Sequence, residues 1–509
     1  MRALIAAIAL VLPATGAVAQ TEQAAPISAI DWLSHSLAQP AALAPGEAPV
    51  TQGIVTEPIS VQPLDMPSPD GVGLLARSVT GLPADLWGSS DLDTLVRLIA
   101  GFPAEPLPAV QDQFRRVMLA ELDPPLGSTL RAPLLQARID ALLARGAVEE
   151  AEALLQRAAS DAPELFRRAF DVGLLTGREQ SACAHMRAVP GLAPSFPVRI
   201  FCLARTGDWN AAALTLESAK ALGQLSPEED ALLAQFLDPE LSELLPPTAR
   251  PTRPSPLTFR MLEAIGAPMP TATLPLAFAH SDLRPTAGWK PRVEAAERLA
   301  RAGAIPPGVL VAIYGERAPA ASGGVWDRVA SVQALGRALE IGDREVISED
   351  LPDAWDQMRA AGLALPFARA FGPALVTLEA EPADLVFRIG LLSDAYESVA
   401  LDADPDDPEA AFLAAIARGE PGAPPASPLA EAVSAGFVSP APALPDGLAR
   451  PLAEGRAGEA LLLALGALAP GAAADPSDIG GAIAFLRAFG LEDIARRAAL
   501  QILLLERPS

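Results

Sequence analysis

Few side chains in this sequence are of the kinds that make or break bonds. Of its 509 residues, three are histidine and two are cysteine. The cysteines, Cys183 and Cys202, stand close enough in sequence to pair in an oxidising compartment. A loop of about 20 residues closed in this way contributes roughly 3 kcal/mol. Cys183 with His185 offers metal or redox chemistry as a rival. Cys-x-His supplies only two ligands, however, and no further Cys/His cluster stands beside it. His35, His185 and His280 are far apart and carry no triad or zinc spacing. His-Glu-x-x-His, Gly-x-Ser-x-Gly, Ser-x-x-Lys and phosphate-cradling glycine loops are all absent from the sequence. Asp402, Asp404 and Asp406 match the first three ligand positions of a calcium loop. Asp407 then stands where that loop needs Gly, and Leu413 where it needs a bidentate Glu. Asp407 reads instead as a helix cap, with Pro408 in the first turn. No catalytic, cofactor-binding or metal-binding residue is assigned. The site residues are the disulfide pair Cys183 and Cys202.

Both cysteines sit on a periodic stretch, Leu135–Gln224. Gly146, Gly177 and Gly207 are spaced 31 and then 30 residues apart. Five places after each comes Ala151, Ala182 or Ala212, and nine places after comes Leu155, Met186 or Leu216. Leu135, Ile139, Leu142 and Leu143 fall on one helix face, as do Phe166, Phe170 and Leu174, and then Phe196, Ile200 and Leu203. Each Gly tolerates the left-handed conformation that ends a helix. Ala151 with Ala158, and Ala212 with Ala219, give the second helix of a pair a small-residue face. Pro163 and Pro194 suit the first turn of the next helix. The stretch therefore reads as three tandem helical hairpins. The bridge should pin the second helix of the middle hairpin to the first helix of the next.

Gly146, Ala151, Leu155, Ala158 and Pro163 resemble the pattern of the tetratricopeptide (TPR) repeat family. Two departures stand out. The pitch is shorter than that family's 34. Ile139, Phe170 and Ile200 occupy positions where it prefers a small residue, which should splay the hairpins wider. Val189 also replaces the second Ala of the middle copy. The resemblance covers about 90 residues and implies a binding or assembly scaffold without catalytic residues.

The remaining chain extends the same architecture. Arg2, an apolar Ala3–Leu12 and Ala17-Val18-Ala19 read as a secretory signal peptide over residues 1–19, with the mature chain starting at Gln20. Residues 20–88 form a Pro-rich arm or strap. Within it Gly53–Val61 is β-rich enough to add to a partner's sheet edge, with an extended strap on the protein's own body as the plainer reading. Leu74, Leu75, Leu82, Leu86 and Trp87 should cap the first helices. Residues 89–244 make the TPR-like domain, in which Ser226-Pro227-Glu228-Glu229 is a strong helix start. Residues 245–256 are a Pro-rich linker. Residues 257–509 make a second domain of diverged hairpins, where Gly390 with Ala395 and Gly490 with Ala495 repeat the five-residue offset. Leu452–Gly466 reads as one helix, Leu351–Ala361 as another, and Leu491–Leu505 as a terminal cap. The fold class is all-α, an α-solenoid of TPR-like hairpins with an extended Pro-rich N-terminal arm.

The formal charge is −24, from 62 Asp and Glu against 38 Lys and Arg. So strong a polyanion repels nucleic acid and anionic lipid. No run after the signal reaches the length of a membrane helix. The expectation is a periplasmic, non-enzymatic helical-repeat scaffold with protein partners in the cell envelope, no nucleic acid, no transmembrane segment in the mature chain and no cofactor. The alternatives are a glycan or small-molecule binding module, with Trp209, Trp289 and Trp326 as aromatic candidates, and a cell-wall lytic enzyme. The last has one lead: Glu397-Ser398 is similar to the Glu-Ser signature of periplasmic lytic transglycosylases, although its surroundings read as an ordinary amphipathic helix.

Overall fold

The computed structural model describes residues 68–159, 161–238, 240, 250–401, 407–420, 422–438 and 443–505. The expected signal peptide, the Gly53–Val61 stretch and Asp402–Asp406 lie outside the described residues, as do residues 245–249 of the linker. Among the described residues the chain is all-helical and has no strand. Three leading helices, α1 (Arg77–Thr80), α2 (Leu92–Ala100) and α3 (Pro108–Leu119), precede three hairpins. The hairpins are α4 (Pro133–Ala144) with α5 (Val148–Ala158), α6 (Pro163–Thr176) with α7 (Glu179–Ala188), and α8 (Phe196–Arg205) with α9 (Trp209–Ala221). Next come α10 (Pro227–Leu237), α11 (Pro256–Ala264), α12 (Ala279–Asp282), α13 (Trp289–Arg301), α14 (Pro307–Gly315), α15 (Val325–Ile341) and α16 (Arg344–Ala360). They are followed by α17 (Ala364–Thr377), α18 (Ala383–Leu392), α19 (Tyr396–Val399), α20 (Pro408–Arg418) and α21 (Pro428–Ala435). The last four are α22 (Asp446–Ala453), α23 (Ala457–Leu468), α24 (Pro476–Ala488) and α25 (Glu492–Leu504). Neighbours pack in pairs, among them α6 on α7, α8 on α9, α15 on α16 and α17 on α18.

The local signals act as the residues require. Gly146, Gly177 and Gly207 hold φ of 73°, 76° and 88°, and each sits between the helices of one hairpin. Ser226 and Glu229 form a reciprocal capping box at the start of α10, which satisfies two amides that the helix cannot pair. Asp407 caps α20 with Pro408 in its first turn. Other expectations are corrected. Pro194 precedes the cap Ser195, and Pro197 occupies the first turn of α8 instead. Gly390 is no hairpin turn: it lies inside α18, where a Cβ would come within 2.8 Å of Val399 Cγ2. The apolar run at Leu452–Gly466 is two helices, because Gly455 adopts φ 74° between them. The Leu351–Ala361 helix begins earlier, at Arg344, because Asp343 caps it, and it runs through Pro352.

The apolar interior forms three clusters. One follows the hairpins from Phe166 to Leu262, and a second spans Ala279 to Leu392. The largest joins both parts of the chain, with Leu82–Leu175 packed together with Leu391–Ile502. The helix that closes it is α25. It packs on α3, α18, α20 and α24, rather than capping the end of a stack. Gln501 Oε1 accepts a buried hydrogen bond from Ala109 N at 2.7 Å, so the last helix caps the first turn of α3. Around α3, Asp112 pairs with Arg369 of α17, and Arg115 pairs with Glu150 of α5 and donates to Gly303 O.

Residues 68–88 lie against this body. Leu82, Leu86 and Trp87 are buried in the largest cluster, as their apolar pattern suggests. Leu74 and Leu75 amides donate to Leu119 O. Arg138 of α4 is fully buried beneath them. Its guanidinium donates to four carbonyls, Met118 O (2.8 Å), Ala120 O (2.9 Å), Val72 O (2.8 Å) and Asp70 O (3.1 Å). Asp70 Oδ1 in turn accepts from Leu135 N at the start of α4. One side chain thus ties the strap to both α3 and α4. Beyond it Gly88, at φ 45°, passes so close to α22 that a Cβ would meet Gly455 O at 2.0 Å.

Candidate functional site

The Cys183–Cys202 disulfide is present, with Cα atoms 5.1 Å apart. It pins α7 to α8, the second helix of one hairpin to the first of the next. Bonded in this way, Cys183 is not available to join His185 in redox or metal chemistry. His185 instead meets Asp161 at 2.9 Å on the surface.

The bridge also fixes a charged pocket one helical turn away. Glu179 precedes Cys183 by four residues on α7, and Arg205 follows Cys202 by three on α8. These two face a pocket of about 320 Å³, lined further by Phe201, Phe236, Arg260, Glu263, Ala264, Arg284 and Thr286. Its charges alternate. Arg205 Nη2 lies 2.9 Å from Glu179 Oε1, and Arg260 Nη2 lies 3.8 Å from the same oxygen. Arg260 also pairs with Glu263, and Arg284 Nη2 reaches Glu263 Oε1 at 2.6 Å. Burial acts to raise the Glu263 pKa, but hydrogen bonds from Arg284 and Arg260, with their charges, hold it below the ordinary value. Glu179 is fully buried, and neither of its oxygens accepts a hydrogen bond. Arg205 and Arg260 are near enough to compensate its charge without being aligned to donate to it. The apolar wall is the Phe201–Phe236 pair, stacked with centroids 5.4 Å apart and planes at 20°.

The sequence did not mark this pocket. Arg205, Arg260 and Arg284 follow no common spacing, and α8, α11 and the segment after α12 bring them together. The faint available signal is Glu179, a charged residue opening a helix whose next turn carries a cysteine. Of the three tryptophans, the structure brings two together. Trp289 and Trp326 meet at 4.9 Å, and Trp289 Nε1 donates to Ile313 O at 2.9 Å. Trp209 is away from these two, 50% exposed on α9, with its ring centroid 6.5 Å from that of Phe236. Glu397 is an exposed carboxylate ion-paired with Arg496 at 3.1 Å. His280 is buried and donates from Nε2 to Gly146 O at 2.6 Å. Burial lowers its pKa, against the raising effect of that bond. His35 lies outside the described residues.

Two buried charge clusters brace the helices. Arg168 of α6 forms a two-point pair with Asp140 of α4, at 2.6 and 2.7 Å. Asp171 beside them is pushed up to about 7 by burial, against the lowering effect of Arg167 and Arg168. In the second half, Glu297 accepts from Tyr314 Oη at 2.6 Å and from both arms of Arg328. Burial and the Glu297 charge raise the Tyr314 pKa well above its ordinary value. Among the described residues no three His, Cys, Asp or Glu side chains are grouped to hold a metal ion. No helix among them is long and apolar enough to cross a membrane.

No protein-family model, curated protein or solved structure matches this chain.

Proposed function

We propose that this protein is a non-catalytic, periplasmic helical-repeat scaffold that holds protein partners in the cell envelope, built on TPR-like hairpins arranged as a solenoid. The observation that carries this reading is the tandem hairpin array α4–α9. Three glycines at matching places adopt the left-handed conformation, and a disulfide fixes the register of two hairpins. At its end α9 exposes Trp209 and Leu214, and its C-cap Leu222 is exposed as well, at 50%, 70% and 64%. Apolar side chains held out on a rigid helix are the usual anchors of a protein interface. Stacked helix pairs present such faces without needing a reactive centre.

The test uses the full chain. Export predicts that N-terminal sequencing of protein from the envelope fraction begins at Gln20. Cross-linking in cells should recover one reproducible partner, and Leu214→Asp with Leu222→Asp, both at largely exposed side chains, should lose it while leaving the melting temperature unchanged. An uncleaved N-terminus, or recovery unaffected by those substitutions, would refute the proposal. A second reading, glycan binding, is favoured by the meeting of Trp289 and Trp326. Quenching of tryptophan fluorescence by cell-wall fragments, lost in Trp326→Ala, distinguishes it.

A further inference from the structure

We infer that the pocket beside the disulfide binds a small monocarboxylate with an aromatic or branched apolar body. This goes beyond the scaffold reading and does not depend on it.

Charge comes first. Three guanidiniums and two carboxylates line the pocket, a surplus of one positive unit in a chain of formal charge −24. A monoanion neutralises that surplus. A phosphate dianion exceeds it and meets Glu263 across the same small space. Donor capacity comes second. Each guanidinium has five N–H groups in a planar fork that fits a carboxylate at two points. Arg284 spends part of its fork on Ser281 O and Glu263, and Arg260 part of its own on Glu263. Arg205 donates no hydrogen bond among the described residues, and 42% of its side chain is exposed. Glu179 sits behind it, too buried to meet a ligand, and holds its charge in place at 2.9 Å. The bridge keeps α7 and α8 from sliding, so this pair is set before any ligand arrives. Shape comes third. Phe236 is 8% exposed, with Phe201 stacked behind it, a rigid wall that suits an apolar body rather than a second polar group. A volume of about 320 Å³ lies at the small end of ligand clefts.

The experiment is calorimetric titration of the full oxidised chain with phenylacetate and 4-methylpentanoate, against neutral phenylacetamide and inorganic phosphate. Both carboxylates should bind, phenylacetamide and phosphate about tenfold more weakly or less, in keeping with a charge-assisted two-point contact. Affinity should fall as salt rises. Arg205→Gln should lose about tenfold in affinity; it also leaves buried Glu179 without its nearest counter-charge and lowers the melting temperature, so the titration is run where circular dichroism shows the variant folded, and Arg205→Lys, which keeps the charge without the fork, should recover only part of the affinity. Equal binding of phenylacetamide, phosphate binding as tightly as carboxylate, carboxylate binding unchanged in Arg205→Gln, or no carboxylate binding at millimolar concentration would each overturn the assignment.

Discussion

Replacing Arg138 by Met should unfasten the N-terminal strap. The side chain is fully buried, and its guanidinium supplies four hydrogen bonds to the carbonyls of Asp70, Val72, Met118 and Ala120. Burial pulls the Arg138 pKa down to about 10 against the raising effect of the Asp70 charge. The group therefore remains a cation at neutral pH. A charged hydrogen bond contributes ~1.5–3 kcal/mol, so four would sum to more than 6 kcal/mol if they were independent. The desolvation cost of the buried guanidinium offsets part of that sum. Met fills much of the volume but leaves four acceptors dry and removes the counter-charge of buried Asp70. Losing one partner of a buried charge pair costs about 3–5 kcal/mol, and the strap can limit the loss by peeling into water. The expected result is a loss of about 3–5 kcal/mol in urea denaturation. Amide exchange should accelerate first at Leu74 and Leu75, whose N–H groups bond to Leu119 O beside the site. Arg138→Lys should fall between the two, keeping the charge and losing the fork. A variant within about 1 kcal/mol of the parent, with Leu74 exchange unchanged, would refute the reasoning.

Other expectations follow from the same geometry. Cys183→Ala with Cys202→Ala should cost about 3 kcal/mol, the chain entropy of a loop of this length, read as a lower denaturation midpoint that reducing agent reproduces in the parent. Asp171 titrates near 7 when folded and near 3.8 when unfolded, so the folded state holds the extra proton between those values. Stability should therefore fall as pH rises through that window and level off above it. Asp171→Asn should make that slope shallower in melting temperatures taken from pH 4 to 8, leaving what Asp70 and Asp282, also raised by burial, contribute. Gly88→Ala adds a Cβ where Gly455 O already stands and at a positive φ, and should destabilise by about 1–3 kcal/mol in thermal unfolding. Gln501→Leu leaves the Ala109 amide buried without its acceptor, and should cost about 1–3 kcal/mol.

What the sequence made legible was local. A glycine that must take positive φ shows itself by recurring at Gly146, Gly177 and Gly207, and a Ser-x-x-Glu box shows itself at Ser226 because both partners lie within one turn. The two cysteines were readable because they are the only pair in the sequence and lie 19 residues apart. The misreadings arose where a residue's job depends on something distant. Gly390 has the offset of a hairpin turn, yet it is small because Val399 packs on it. Gly455 breaks an apolar run that periodicity alone carries straight through. Arg138 and Asp140 lie among Leu134, Leu135, Ala137, Ile139 and Ala141, all buried. Charge inside a helix apolar on every side is a readable sign of a buried pair, although it does not name the partner. The pocket left no trace, because Glu179, Arg205, Arg260 and Arg284 are gathered by packing between separate helices and no spacing rule links them.

The bond from Gln501 to Ala109 spans 392 residues of chain. Such a contact forms only after the intervening chain has been made, so the largest core is completed late in synthesis. Until then α3 keeps an oily flank open, which invites aggregation or capture by chaperones. A stop codon just before α25 is therefore far from a small change: it removes the closing wedge and should leave a product liable to degradation.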